Sequence, residues 1–264
     1  MYGLDLFSGI GGITKALEGY VRPVAYCEND RHTQGVLLSR MATGDIPVAP
    51  IWDDVRSLQS SDLQIKPEII YGGFPCQDIS VAGRGAGLEG KRSGLFFEIL
   101  RLAKEIKPTF LFFENVPAIR TRGLDVVVKE LADIGYDSRW CALSAAEIGA
   151  PHERNRWFLL ALCSDTNSSR REEHGMLKTA LPKRPGKTVS GDKSLKKDAN
   201  GAKQSSYVAE SEFYSRHTWW ETEPNVGRVA HGIPLRVDRL RALGNAVVSA
   251  QAREAFERLL GLKK

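Results

Sequence analysis

The sequence has few cysteines and no long apolar stretch, and both absences limit what the protein can be. Its four cysteines, Cys27, Cys76, Cys141 and Cys163, lie far apart, without CxxC spacing or a histidine partner pattern. This spacing indicates neither a disulfide framework nor a zinc site, so we expect reduced thiols and no bound metal. No run approaches the ~18 consecutive apolar residues of a membrane helix, and the N-terminus lacks a signal-peptide pattern. We therefore expect a cytoplasmic protein without a membrane partner.

The positive charge of the chain is concentrated in one segment. The net charge is +5 and the pI is about 9.0, which weakly indicates a polyanionic partner. Residues 165–204 contain ten Lys and Arg against five Asp and Glu, so this stretch accounts for the whole surplus. It has few large apolar residues and no Phe, Tyr or Trp, a composition that cannot bury a core of its own. We interpret it as an insertion in one globular core.

Short apolar runs alternate with helical patterns on either side of this segment. Six runs rich in β-branched or aromatic residues predict buried strands: YGLDLF, PVAYCE, EIIYGG, FLFFENV, SRWCALS and RWFLLALC. Between them, residues 93–104 and 124–131 carry apolar side chains at helical spacing. This order predicts an α/β fold with βαβ units and a mainly parallel sheet. Ligands bind such sheets at the carboxyl ends of strands, where we expect the site.

The first two predicted strands end in a glycine-rich turn and an acidic residue. The segment DLFSGIGGITKAL places Gly9, Gly11 and Gly12 between a strand and a helix, where backbone amides can approach a ligand closely. The dinucleotide fingerprint fails, because Thr14 stands where its third glycine is required. Glu28 ends the next strand, at a position where an acid commonly binds ribose hydroxyls. Together they indicate an adenosine-type cofactor, although a plain tight turn and a Glu28 that caps the next helix remain open.

The following strand ends bring a thiol and a carboxylate to the same edge. EIIYGG leads into GGFPCQDIS, which contains Cys76, and FLFFENV delivers Glu114 and Asn115. Partial burial of a carboxylate raises its pKa towards values useful for holding or donating a proton. A nucleophile and an acid are therefore expected to converge, with a purely structural Glu114 as the alternative.

Five motifs resemble those of the cytosine-C5 DNA methyltransferases in order and approximate spacing: DLFSGIGG, GGFPCQDIS, FFENVPAI, PHERNRWFLLAL and RLRALGNAVV. The resemblance covers nearly everything outside residues 165 to about 217, and the chain looks like a short, phage- or prophage-type bacterial member. It implies the Rossmann-like fold of S-adenosylmethionine-dependent methyltransferases, with helices on both faces of the sheet. It also implies transfer of a methyl group to C5 of a flipped cytosine in DNA, through a covalent cysteine adduct at C6.

The resemblance assigns roles to individual residues. Cys76 is the expected nucleophile, Glu114 protonates or hydrogen-bonds N3 of the base, and Arg154 and Arg156 position the flipped cytosine and its phosphate. His152 stands where many relatives have glutamine, so its role is open. The residues implied in binding S-adenosylmethionine are Asp5, Phe7, Ser8, Gly9, Gly11, Gly12, Glu28, Asn29, Asp54, Val55, Leu95, Asn245 and Val247. Those implied in binding the substrate are Pro75, Gln77, Ser80, Arg84 and Asn115.

The same resemblance suggests three parts of the chain. Residues 1–164 would form the catalytic and cofactor-binding core, and 165–217 a variable target-recognition insert. Residues 218–264 would return to the core and close the cofactor site, ending in a helix from about residue 246 to 260 that packs on the sheet. The glycine-rich stretch after Cys76 is expected to fold over the extruded base as a lid. Expected partners are double-stranded DNA and, where one exists, a cognate restriction endonuclease, with the protein itself a monomer.

Two other functions compete within this resemblance. Close relatives methylate cytosine in transfer RNA, but they usually carry a Cys-Phe-Thr signature that is absent here. A non-catalytic DNA-binding member is disfavoured by the intact cysteine, glutamate and arginine motifs. Amino-group methyltransferases are disfavoured because no PPY-type or PPW-type motif occurs. The sequence leaves the DNA recognition site open.

Overall fold

A computed structural model describes residues 1–75, 94–164 and 246–263, together with Asp238 and Ala242. The strands in these ranges are β1 (Tyr2–Leu6), β2 (Arg22–Cys27), β3 (Ile51–Trp52), β4 (Ile69–Gly73), β5 (Phe110–Asn115), β6 (Tyr136–Leu143) and β7 (Arg156–Cys163). The helices are α1 (Gly12–Ala16), α2 (Arg31–Ala42), α3 (Leu95–Ile106), α4 (Ile119–Arg122), α5 (Leu124–Asp133) and α6 (Ser249–Leu259). The predicted insert at 165–217 lies outside the described residues, so the three-part division stays a prediction.

The strands form one sheet in the order β3-β2-β1-β4-β5-β7-β6. Strands β1 to β5 run parallel, whereas β7 is antiparallel to both of its neighbours. Gly73 pairs with Glu114, and Asn115 pairs with Trp157. The carboxyl ends of β4 and β5 therefore meet the start of β7 at one side of the sheet, which we call the carboxyl edge.

Alternation along the central strands divides the core between the two faces of the sheet. Leu111 and Phe113 of β5 pack with α3 and α5 on one face. Phe110 and Phe112 pack with α1 and α6 on the other face. The ring of Phe112 lies edge-on to Phe256 of α6, with 5.1 Å between ring centroids. The predicted mainly parallel sheet with helices on both faces is confirmed.

Local signals set the ends of the helices. Helix α2 begins where the Asp30 carboxylate accepts a hydrogen bond from the Thr33 amide at 2.8 Å, as an N-cap does. Helix α3 buries six apolar residues against the sheet: Phe96, Ile99, Leu100, Leu102, Ala103 and Ile106. It ends at Lys107, whose φ of 51° is left-handed, directly before Pro108, which has no amide hydrogen to continue a helix.

Two expectations about strands were wrong. The run SRWCALS was expected to be a buried strand, but only the end residues of β6, Tyr136 and Leu143, are buried. The reason is its position at the edge of the sheet, where it has one neighbouring strand and Trp140 is 41% exposed. Strand β3 was missed because its two residues are too short for a periodic pattern. The other five predicted strands are present and largely buried.

The C-terminal helix α6 packs on the core. It contacts α1, β6 and β7. The Tyr20 hydroxyl donates to the Glu257 carboxylate at 2.8 Å, and the Arg253 guanidinium lies 4.8 Å from the centroid of the Tyr20 ring. The first and last parts of the described chain are thus joined on one face of the sheet. Among the described residues, every helix is too short or too polar to cross a bilayer.

Candidate active site

The turn after β1 has a backbone that few residues tolerate. Phe7, Gly9 and Gly11 have φ angles of 54°, 55° and 79°. A left-handed φ is unusual for a large side chain such as that of Phe7, and such strain is found mostly at ligand-binding sites. A Cβ built on Gly9 would have no atom of the described residues within 4 Å, whereas one on Gly11 would lie 3.1 Å from Ile46. Gly9 therefore faces open space, as a residue that cradles a ligand would.

The C-terminal segment lies directly against this turn. A Cβ built on Gly12 would lie 2.7 Å from a methyl carbon of Val247, so only glycine allows this approach. The Ser249 hydroxyl donates to the Gly12 carbonyl at 2.9 Å. The motifs containing Gly12 and Val247 thus meet in space, while Asn245 lies outside the described residues.

Glu28 connects the glycine turn to the loop after β2. Its carboxylate accepts hydrogen bonds from the amides of Gly9 at 2.8 Å and Asp30 at 2.9 Å. Glu28 does not cap α2, since the N-cap is Asp30. A carboxylate has about four lone-pair positions, so Glu28 keeps acceptors for ribose hydroxyls. Asn29 lies between these two acids on the same loop.

Asp5 at the end of β1 and Ser8 in the glycine turn are both buried. The Ser8 hydroxyl bonds to the carbonyl of Asp5 and to the backbone of Cys27, so this side chain secures the turn to β2. One Asp5 carboxylate oxygen accepts from the Thr14 hydroxyl at 2.6 Å, and Thr14 contacts the Tyr71 hydroxyl at 2.8 Å. Burial raises the pKa of Asp5 to about 8. This buried network lies directly below the strained turn.

Strand β3 and the loop after it contain the next predicted site residues, Asp54 and Val55. Asp54 is partly exposed, and its carboxylate accepts a hydrogen bond from the Arg56 amide at 2.9 Å. Val55 belongs to the buried core, and Leu95 at the start of α3 is half-buried against it. Trp52 was not predicted as a site residue. Its backbone carbonyl accepts a hydrogen bond from the Glu28 amide at 2.9 Å.

Glu114 lies at the carboxyl edge, at the end of β5. Its Oε1 lies 2.7 Å from Nε of Arg156, and both side chains are at least 85% buried. Burial raises the pKa of Glu114, although the nearby guanidinium groups of Arg156 and Arg154 act in the opposite direction. Because burial outweighs these positive charges, the Glu114 carboxyl can retain a proton more readily than an exposed one, while Arg156 fixes its orientation. The pair has the chemistry of an acid fixed in position.

The double glycine at the end of β4 makes room for this arrangement. A Cβ on Gly72 would lie 1.8 Å from the carbonyl oxygen of Leu6, so no side chain fits beside β1. A Cβ on Gly73 would lie 2.9 Å from Oε2 of Glu114. Gly73 therefore provides the space in which the Glu114 carboxylate lies. The adjacent glycines before FPCQ were a visible signal, but the carboxylate above Gly73 could not be found without the strand register.

Asn115 holds the loop that leads towards Cys76. Its side-chain amide donates to the Phe74 carbonyl at 2.9 Å, and its oxygen accepts from the Val116 amide at 2.8 Å. Pro75 follows Phe74 and is exposed. Besides Asn245, four predicted site residues lie outside the described residues: Cys76, Gln77, Ser80 and Arg84.

Arg154 points towards the C-terminal segment. Its guanidinium donates to the Ala246 carbonyl, and burial lowers its pKa. The backbone carbonyl of Arg154 accepts from the side-chain amide of Gln251 at 2.9 Å. His152 is exposed on the turn that precedes it. Sequence reasoning missed Gln251, although it lies one helical turn before Ala255 on the buried face of α6.

Arg40 is a second residue that sequence reasoning missed. Its guanidinium donates to the Ile10 carbonyl in the glycine turn and pairs with Asp45 at 2.7 Å. Lys15 lies 3.3 Å from the same carboxylate. The turn is therefore held from α2 as well as from Glu28. Within 1–75, 94–164 and 246–263, no group of three or more metal-ligating side chains comes together.

The sheet order with its antiparallel β7, and the glycine turn facing an acid after β2, define the S-adenosylmethionine-dependent methyltransferase fold. Two solved structures share this fold. A DNMT2 variant of Spodoptera frugiperda is 18% identical with a TM-score of 0.51, covering 63% of this chain and 51% of that one. Dnmt2 of S. pombe is 22% identical with a TM-score of 0.50, covering 64% and 52%.

The family follows from the sequence match. The family model for C-5 cytosine-specific DNA methylases matches residues 1–258, and the chain belongs to this family. Type II methyltransferase M.CviJI of Paramecium bursaria Chlorella virus IL3A is 40% identical over 163 residues, which are 61% of this chain and 43% of the relative. Type II methyltransferase M.HhaI of Haemophilus parahaemolyticus is 31% identical over 169 residues, 62% and 50% respectively. The matches thus span about half or less of these relatives, while the expected family is confirmed.

Proposed function

We propose that the protein is a DNA cytosine-5 methyltransferase, which transfers a methyl group from S-adenosylmethionine to C5 of a cytosine flipped out of double-stranded DNA. The observation that carries the proposal is the buried pair of Glu114 and Arg156 at the carboxyl edge. Asn115 ties this edge to Phe74, two residues before Cys76. Family membership and type II methyltransferases among the relatives support the same activity.

Cys76 acts as the nucleophile in this mechanism. Its thiolate forms a bond to C6 of the cytosine, and the ring electrons that this addition releases make C5 able to attack an electrophilic methyl carbon. Once C5 carries the methyl group, its proton passes to solvent, and the electrons of that bond restore the C5–C6 double bond as the bond from C6 to sulfur breaks. The aromatic ring and the thiolate are both restored, so the residue is ready for another cycle.

Glu114 holds a proton at N3 of the cytosine. Burial favours the protonated carboxyl, and bound base would exclude more water from it. A proton shared with N3 prevents negative charge from accumulating on the ring while the thiolate adds. Arg156 fixes one carboxylate oxygen at 2.7 Å, which leaves the other one above Gly73 for the base.

The residues of the glycine turn fit S-adenosylmethionine. Gly9 faces open space, and the Glu28 carboxylate beside it retains acceptors for ribose hydroxyls. The partly exposed Asp54 suits an adenine amino group, while Val247 closes the turn from the opposite side. When bound, the cofactor supplies the electrophilic methyl group. Asp5 and Ser8 support the turn from below through their buried hydrogen bonds.

Substrate choice is proposed to reside in the residues after β7. The insert at 165–217 contains eleven Lys and Arg against seven Asp and Glu, and these basic side chains can bind phosphates of double-stranded DNA. We also propose a monomer that acts in the cytoplasm of a bacterial or phage-infected cell. A cognate restriction endonuclease is compatible with this activity but not required for it.

Covalent trapping tests the function without knowledge of the recognition sequence. Amplified bacterial genomic DNA that contains 5-fluorocytosine should form a denaturant-resistant adduct with the protein when S-adenosylmethionine is present, because fluorine at C5 cannot leave as the proton does. Cys76→Ala should form no adduct, and Cys141→Ala, which removes a half-buried thiol on β6, should form it normally. Bisulfite sequencing of DNA from cells that express the protein should show modified cytosines. Methyl transfer by Cys76→Ala, or transfer to transfer RNA alone, would overturn the proposal.

A further inference from the structure

The start of α6 contacts both halves of the proposed site: the glycine turn, which is the cofactor side, and the loop that contains Arg154 and leads to Arg156, which is the base side. We call residues 246–251 the bridging segment. Two residues of this segment, Val247 and Ser249, contact Gly12 of the glycine turn. At the same time, the Ala246 carbonyl accepts a hydrogen bond from the guanidinium of Arg154. The segment therefore connects the cofactor side with the base side.

Gln251 makes the strongest connection on the base side. Its side-chain nitrogen donates to the Leu143 carbonyl at 2.8 Å and to the Arg154 carbonyl at 2.9 Å. Leu143 is the last residue of β6, and Arg154 lies two residues before β7 begins at Arg156. One amide group thus joins the two ends of the turn between these strands. That turn leads directly into the arginine that holds Glu114.

A glutamine at this place is unusual because it is fully buried. Gln251 is 0% exposed and shares the buried face of α6 with Ala255. Its side-chain oxygen has no hydrogen-bond partner among the described residues. Burying a polar group with an unsatisfied atom costs free energy, and an apolar side chain would fill the volume without that cost. The two hydrogen bonds to the turn are the compensating interactions.

We propose that Gln251 is a positioning residue for methyl transfer, which fixes the β6–β7 turn so that Arg154 and Arg156 are held at the flipped base. This inference rests on the proposed function, and it adds a residue that touches neither base nor cofactor. Gln251 acts through the backbone of Arg154, while the Arg154 side chain returns to Ala246. Arg154 is therefore bonded to the bridging segment twice, once through its backbone and once through its side chain. A displacement of Gln251 should for this reason also displace Arg154.

A glutamine that merely anchored α6 would have different consequences. Loss of an anchor would loosen the whole bridging segment, including Val247 and Ser249 on the cofactor side. Cofactor binding and adduct formation would then decline together. A positioning role predicts instead that adduct formation declines while cofactor affinity is kept.

The experiment compares Gln251→Met with the unmodified protein and with Arg258→Ala. Methionine keeps the length of the side chain and removes both donors, whereas Arg258 is exposed on the same helix and pairs with Glu254. Adduct formation with 5-fluorocytosine DNA, at saturating cofactor, should be roughly tenfold to hundredfold slower in Gln251→Met, the scale of a small displacement of reacting groups. Calorimetric cofactor affinity should stay within about twofold, and Arg258→Ala should match the unmodified protein in both measurements.

A double-mutant cycle completes the test. In a background that lacks both guanidinium groups, Arg154→Ala with Arg156→Ala, adding Gln251→Met should slow adduct formation little further, because both side chains that Gln251 positions are already gone. A slowing as large as in the unmodified background would overturn the inference, as would equal losses of cofactor affinity and adduct formation in Gln251→Met alone.

A second variant covers the case in which Gln251→Met fails to fold. Gln251→Glu is isosteric and should regain one donor when its buried carboxyl is protonated, so adduct formation should recover as the pH falls. A pH profile of the same shape as that of the unmodified protein would count against the inference. If the unmodified protein itself forms no adduct, the proposed function fails, and the positioning role fails with it.

Discussion

Gly73→Ala is the smallest change that should separate chemistry from cofactor binding. The added methyl carbon would lie 2.9 Å from Oε2 of Glu114, whereas ordinary contacts begin near 3.4 Å. The carboxylate must therefore move by about 0.5 Å, the difference between these two distances. It cannot simply swing aside, because Arg156 holds Oε1 at 2.7 Å. We expect Glu114 to be displaced from the position in which it meets the base.

The structure also sets the size of the expected effect. A displacement of this order should slow methyl transfer roughly tenfold to hundredfold, equivalent to about 1.4 to 2.7 kcal/mol of activation free energy. The φ of Gly73 is not positive, so alanine fits its backbone. Alanine also reduces the entropy of the unfolded chain, which contributes about 0.4–1 kcal/mol and offsets part of the clash. The free energy of unfolding should therefore change by no more than about 1 kcal/mol.

Single-turnover methyl transfer, calorimetry of the cofactor and denaturant unfolding measure the three quantities separately. Gly35→Ala is the matched control, since Gly35 is exposed in α2 and an added Cβ would meet nothing within 4 Å. That variant should keep full activity and gain up to about 1 kcal/mol of stability. Unchanged methyl transfer by Gly73→Ala would refute the assignment of Glu114 as the acid at the base, and weakened cofactor binding would refute the separation of the two halves.

Three further predictions concern other parts of the site. Glu28→Ala should weaken cofactor binding by roughly 1–3 kcal/mol, while Glu114→Gln should slow chemistry and keep that affinity; calorimetry giving the reverse would exclude both roles. Asp5 has a pKa of about 8 when folded but titrates near 3.8 when unfolded, so its burial should lower stability as the pH rises from about 4 to 8. Asp5→Asn should remove that decline, on the order of a few kcal/mol, and urea titrations with unchanged pH slopes would contradict it. Replacing residues 165–217 with a Gly/Ser linker of equal length should change or abolish the methylated sites, and an identical genome-wide map would show that the core reads the DNA.

The meeting of the glycine turn with Glu28 could be predicted from the sequence because its determinants are local. The glycine turn and the acid after the next strand are contiguous motifs, and the register of β1 with β2 brings Gly9 to Glu28 without further information. The strain at Phe7 could not be predicted, since no pattern of residue types specifies a left-handed φ for phenylalanine. The same limit applies to Arg40, which reaches the turn from a helix that begins twenty residues later in the chain.

The base side could be predicted only in part, because its geometry depends on contacts between distant elements. The residues Glu114 and Arg156 were identified, but their pairing requires β7 to run antiparallel beside β5. Gln251 shares the buried face of α6 with Ala252 and Ala255, but that spacing does not indicate which backbone carbonyls its side chain binds. The burial of β6 was wrongly predicted for a related reason, since burial of a strand depends on its place in the sheet and not on its own composition.

The glycine turn and the Glu114–Arg156 pair should tolerate different substitutions. The glycine turn works through backbone angles and open space, so any side chain at Gly9 is strained regardless of its size or polarity. The base side works through paired side chains, so what matters there is the direction of each donor. Arg156→Lys would keep the charge beside Glu114 but lose the planar guanidinium that fixes the carboxylate. A conservative exchange is therefore costly on both sides, through main-chain strain on one and through lost orientation on the other.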